Sequence, residues 1–124
     1  MRSEVPAQRS GLGASSGANR RRHARAQYAG QARLLLETSH GLTTHTGYVL
    51  DLSTSGCALH FQTRVDAHLC GRVQLMLAGR DVWLPIVTRW VRQDSRGWSV
   101  GAEFDRPTPE KHDLVRRFVS QRMH

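Results

Sequence analysis

The sequence predicts an all-β domain: a six-stranded antiparallel barrel with Greek-key-like connections, a C-terminal α-helix and a disordered N-terminal tail. Three observations predict it. Apolar and polar residues alternate with a period of two in short runs between residues 32 and 104. Clusters of Gly, Ser and Asp separate the runs at near-regular spacing. After residue 108 the apolar period becomes helical.

Residues 1–19 are rich in Ser, Gly and Ala, with Val5 and Leu12 as the only sizeable apolar groups. Such a segment buries too little surface to offset its ordering entropy and is expected to be disordered. Its glycines form no phosphate loop, because no strand precedes them and no Lys-Ser/Thr follows. A basic knot comes next, Arg20-Arg21-Arg22-His23-Ala24-Arg25. The domain is expected to span residues 20–124, with the barrel running to about residue 106 and the helix over about 108–123.

The first strand carries Ala32, Leu34 and Leu36 on one face. In the second, Tyr48, Leu50 and Leu52 alternate with Val49 and Asp51, so the carboxylate is expected to point away from the core. Cys57, Leu59 and Phe61 form the inner face of the third strand, and Val73, Leu75 and Leu77 that of the fourth. In the fifth, Val82, Leu84 and Ile86 run toward Trp90, while Trp83, Val87 and Val91 line the other face. Pro85 falls inside this run and is expected to mark an edge or a bulge, since proline donates nothing to the ladder. Trp98, Val100, Ala102 and Phe104 alternate in the sixth. Thr108 is a good N-cap, Pro109 suits the first helical position, and Glu110 complements the positive end of the dipole. Leu114, Val115, Phe118 and Val119 then form one apolar stripe.

The 124 residues suit one small domain, and 39% hydrophobic content allows a modest core. No apolar run is long enough to span a bilayer. The first residues lack the apolar stretch of a secretory signal, so a soluble cytoplasmic protein is expected. The formal net charge is +8, and Lys111 is the only lysine. Arginine offers a planar fork of donors suited to phosphates and guanine edges, whereas lysine is a point charge. Cys57 and Cys70 are too far apart for a CxxC motif, and no acidic or cysteine partner flanks His40 and His45 at metal-site spacing. Neither a Ser-His-Asp arrangement nor a nucleotide-hydrolysing signature occurs. No enzymatic activity, metal or cofactor is expected.

Two patterns remain. Arg21 and Arg25 form an RxxxR spacing, and Asp51, Ser53 and Gly56 form DxSxxG in a turn between strands. Each has a plain structural explanation: a solvated basic run, and a turn in which Asp and Ser bond the backbone while Gly takes positive φ. In this order, with a strand between them, they resemble the PilZ domain family. The resemblance covers about residues 20–124. It includes Val100-Gly101-Ala102-Glu103-Phe104, which looks like that family's last barrel strand, and the helix that follows.

The resemblance implies a bacterial receptor that binds the second messenger cyclic diguanylate (c-di-GMP) on the outside of the barrel. Such a receptor relays the messenger's level to an effector protein in motility, exopolysaccharide or biofilm control. The ligand residues it implies are Arg20, Arg21, Arg25, Asp51, Ser53 and Gly56. Their chemistry agrees. Guanine O6 and N7 are paired acceptors for an arginine fork. Asp51 offers two acceptors to guanine N1–H and N2–H₂. Ser53 can donate to a phosphate or N7, and Gly56 lets backbone approach a base. In the family, the position of Arg20 influences whether one ligand or a stacked pair binds. A small β-barrel for single-stranded nucleic acid is the alternative. Against it, the basic residues concentrate in one knot, and Trp83, Trp90 and Trp98 read as core or barrel-wall residues. Nucleic acid is therefore not expected as the partner.

Overall fold

The computed structural model describes the backbone of residues 25–27 and all of residues 30–122. The expected tail, Arg20 and Arg21 lie outside the described residues. Seven strands and one helix follow in order: β1 Arg25–Gln27, β2 Gln31–Thr38, β3 Gly41–Ser53, β4 Gly56–Phe61, β5 Cys70–Leu77, β6 Arg80–Asp94, β7 Gly97–Phe104 and α1 Pro109–Arg122.

All pairings are antiparallel. Strands β2, β3 and β4 form one meander, and β5, β6 and β7 a second. The chain returns after β4 so that β5 lies beside β2, the Greek-key arrangement, and β7 pairs with β4 to close a six-stranded barrel. Closure pairs each of these six strands on both sides along part of its length, while residues 41–46 of β3 and residues 80–84 and 89–94 of β6 keep one paired side. β1 is a short addition to β3.

Inward residues of the six barrel strands, β2 to β7, meet in one core, with Leu34, Leu52, Leu59, Val73, Leu75, Leu84 and Val100 fully buried. Val115, Phe118 and Val119 of α1 join it, and Leu114 packs at its margin. Thr108 caps α1 through its hydroxyl, which accepts from the Lys111 N–H at 3.3 Å. The connection 62–69 is held by fully buried Thr88. Its hydroxyl accepts from the Leu69 N–H at 2.9 Å and donates to the Asp66 carbonyl at 2.9 Å. Val65 is thereby seated in the core.

Two bulges change the faces that simple alternation predicts. Register along β3 and β4 shifts between Val49 and Asp51, so Leu50 is the extra residue. Val49 and Leu52 both point inward, and Leu50 is 40% exposed instead of sharing the inner face with Leu52. In β6 the shift lies between Thr88 and Trp90. It turns Val91 toward the core opposite Val100 and puts Trp90 on the outside, 45% exposed, the reverse of the alternation read from the sequence. The β6 bulge therefore sits at Arg89, not at Pro85. Pro85 pairs with Arg72, and its carbonyl accepts from the Asp105 N–H at 2.8 Å, just past the end of β7. The N and C=O of one strand residue point to the same side, so the missing N–H faces the place where the β7 ladder stops.

Candidate functional site

The DxSxxG segment is the turn from β3 to β4, and Ser53 is its hub. The Ser53 hydroxyl accepts from the Gly56 N–H at 3.1 Å and the Ser55 N–H at 3.3 Å, and donates to the Gly56 carbonyl at 3.1 Å. Ser53 is 4% exposed. This hydroxyl shapes the turn. Gly56 does not adopt positive φ. A Cβ there would stand 2.2 Å from the Ala102 carbonyl oxygen, so glycine is required by the close approach of β4 to β7.

The half-buried Asp51 stands on the outer side of the barrel, between inward Val49 and Leu52. Its register partners are Gln27 on β1 and Ala58 on β4. Arg25 is the register partner of Ser53. β1 thus joins the second arginine of RxxxR to the DxSxxG turn through backbone pairing.

Following the register outward from Asp51 gives a single row across the wall. Asp51 pairs with Ala58, Ala58 with Gly101, and Gly101 with Trp90. Four strands put the ends of the row about 14 Å apart. The middle of the row is flat because its side chains are small. A Cβ on Gly101 would lie 2.0 Å from the Trp90 indole nitrogen, so the indole leans over Gly101 toward Asp51. Arg92 stands 5.8 Å from the Trp90 ring centre, and Arg89 is paired with Glu103 at 2.6 Å. Trp90 is a candidate that the sequence reading placed in the core or barrel wall. The exposed indole follows from the Arg89 bulge, which strict alternation does not anticipate. An aromatic two residues after a buried threonine, opposite a strand glycine, is the available signal.

An open depression of about 270 Å³ lies between the turn and the helix entrance, lined by Thr54, Ser55, Glu103, Phe104, Pro107 and His112. Beneath the row, burial pushes the Cys57 thiol far up, and the nearby Asp51 carboxylate adds to this. Cys57 is therefore a neutral core group. His60 is buried in the barrel wall. It stacks on Tyr48 at 5.3 Å, and its Nε2 lies 3.5 Å from Asp94 Oδ1. At Asp94, partial desolvation works to raise the carboxyl pKa. The Arg96 N–H, the hydrogen bond and charge of His60 and the Gly97 N–H outweigh it, and the net shift is downward. Trp83 and Trp98 are half-buried, with Arg72 and Arg64 against their rings. Among the described residues, no three His, Cys, Asp or Glu side chains are grouped to hold a metal ion, and no helix is long and apolar enough to cross a membrane.

Several solved structures share this fold. The Bacillus subtilis inhibitor of motility (MotI/DgrA) superposes with a TM-score of 0.66 at 14% identity, covering 84% of this chain and 51% of its own. The chain thus spans about half the length of that protein. The PilZ domain of Escherichia coli YcgR, solved with c-di-GMP, gives 0.66 at 11% identity over 84% of this chain and 92% of the other. The PilZ domain of CeSA from a cellulose-synthesizing bacterium gives 0.59 at 18% identity over 81% and 98%. No curated protein matches the sequence significantly. The sequence profile of the PilZ domain matches residues 19–121, both motifs and the closed barrel included, and the chain belongs to the PilZ domain family.

Proposed function

We propose that this chain is a cytoplasmic receptor for c-di-GMP that performs no chemistry of its own and passes the signal to an effector protein. The observation that carries the reading is the β1–β3 register, with Arg25 beside Ser53 and Gln27 beside Asp51. It attaches Arg25, the last residue of the arginine knot, to one end of a flat row that has a carboxylate at that end and an exposed indole at the other. The ligand's two phosphates and guanine edges suit Arg21 and Arg25, which can each form charge-assisted, bidentate bonds. Asp51 accepts from guanine N1–H and N2–H₂. Ala58 leaves room for a flat base, the Gly56 backbone can approach it, and Trp90 offers a face on which it can stack. Ser53 serves by holding the turn, and Arg20 tunes whether a second nucleotide stacks on the first. The c-di-GMP bound to the YcgR PilZ domain supports the same ligand class. Control of motility or exopolysaccharide synthesis is the corresponding output.

Calorimetric titration tests this reading with c-di-GMP, GMP and cyclic diadenylate side by side. Adenine carries a donor at N6 where guanine has the O6 acceptor, so the arginine fork meets the wrong partner. We expect saturable binding of c-di-GMP alone. Equal affinity for the two cyclic dinucleotides overturns the reading.

A further inference from the structure

A second surface lies across the barrel from the Asp51 row, on β2, β5 and the first half of β6, flanked by β3. Two register rows define it: Thr46, Arg33, Gln74 and Trp83, then Thr44, Leu35, Arg72 and Pro85. Leu35, Trp83 and Pro85 are half-buried, while Arg33 and Arg72 are exposed. Arg72 lies 5.7 Å from the Trp83 ring centre. Neither arginine forms an ion pair among the described residues, although Arg64, Arg89, Arg106, Arg116 and Arg117 all do. Neither row contains a carboxylate.

We infer that this face docks an acidic segment of a partner protein, with two carboxylates taken by Arg33 and Arg72 and an apolar side chain laid on Leu35, Trp83 and Pro85. Tryptophan and arginine dominate interface energetics, and an unpaired arginine held over a tryptophan is a preorganised anchor. The two arginines are diagonal neighbours on adjacent strands, about 7–8 Å apart at their backbones, a span two carboxylates on one short segment can match. Arg33 and Arg72 lie on β2 and β5, which are paired on both sides across this face, so their recognition of a partner runs through side chains. Two other occupants are disfavoured by charge. A second copy of the chain brings a net +8, and residues 1–24 carry Arg2, Arg9, Arg20, Arg21 and Arg22 against Glu4 alone. A single-stranded nucleic acid needs an open aromatic face for stacking, and Arg72 covers that of Trp83. The face does not include the proposed nucleotide row, so both can be occupied at once.

The test uses the full chain and a short synthetic peptide rich in glutamate with interspersed leucine and phenylalanine. The same peptide with glutamine for glutamate, and an oligothymidylate, are the comparison arms. The acidic peptide should bind by fluorescence anisotropy and shift the Trp83 indole N–H resonance while leaving that of Trp90 in place. R33E/R72E should weaken it by at least about tenfold, the loss of one well-placed hot spot. R21A/R25A should leave it within about twofold, an independent rim contribution. An unmoved Trp83 resonance, equal binding of the glutamine peptide, or equal affinity for R33E/R72E overturns the proposal. Tighter binding of the oligothymidylate at the same resonances replaces it with a nucleic-acid face.

Discussion

Ser53 and Asp51 sit two residues apart in one motif and do different work. The Ser53 hydroxyl satisfies two turn N–H groups inside the fold. Ser53→Ala leaves the buried Gly56 N–H without its acceptor, which costs about 1–3 kcal/mol. We expect a lowered denaturant midpoint even without nucleotide. Asp51→Ala should instead weaken c-di-GMP binding with a much smaller loss of stability. A binding defect in the serine variant with unchanged unfolding contradicts this division. At the other end of the row, Trp90→Ala removes a stacking face worth about 1–3 kcal/mol, roughly 5- to 150-fold in dissociation constant. Titration of this variant with c-di-GMP reads the effect directly, and an unchanged constant means that no base reaches the indole. Asp51 and Gly56 were legible because their types and spacing are written in the sequence. The reason for Gly56 was not, since the Ala102 carbonyl that forbids a Cβ belongs to a strand far along the chain.

Among the described residues, β1 has three residues, pairs with β3 alone and lies against α1. A strand held along one edge opens locally at far less than the global unfolding free energy. Cleavage by trypsin after Arg25 requires this opening. A nucleotide bridging Arg25 and the Asp51 row should hold β1 closed, so saturating c-di-GMP should slow that cut while GMP leaves it unchanged. Identical rates with and without c-di-GMP, followed by mass spectrometry, mean that β1 does not clamp the ligand. The sequence pointed to the inner faces of β2, β4, β5 and β7 because their alternation is unbroken. It gave little sign of the first half of β3, where Leu42-Thr43-Thr44-His45-Thr46 lacks an apolar period although threonine favours strands. The bulges at Leu50 and Arg89 were also hidden. A one-residue insertion flips every side chain after it, and only the partner strand shows where it occurs.

The whole barrel depends on pairings between distant segments, β2 with β5 and β4 with β7. Strand existence is a local property of the chain, whereas strand order rests on burial shared across the molecule, and here the family resemblance supplied what periodicity did not. The connection between the two meanders gives stability a pH dependence. His45 bonds Thr63 Oγ1 at 2.9 Å through Nδ1 and Thr43 Oγ1 at 3.2 Å through Nε2, with Phe61 against its ring. Burial lowers its pKa from 6.5, and the Asp66 charge offsets part of that shift. The unfolded chain therefore takes up this proton more readily than the folded one. The contribution of His45 is complete above the unfolded value and is lost as pH falls through it toward the folded value. Thermal melts should show the native chain losing stability as pH falls from about 7 toward 5, and His45→Gln should reduce that slope. Parallel curves for the two proteins count against it.

The row from Asp51 to Trp90 is also an event in time. Ribosomes add about 5–20 residues per second, so Asp51 and Ala58 exist for seconds before Trp90 and Gly101 are made. The floor between them forms only when β7 zips onto β4 and β6, the step that closes the barrel. A nascent or truncated chain carries both signature motifs before the β4–β7 wall beside them exists. On the proposed reading, full capture of nucleotide waits for barrel closure, so unfinished copies should compete poorly with finished ones for messenger.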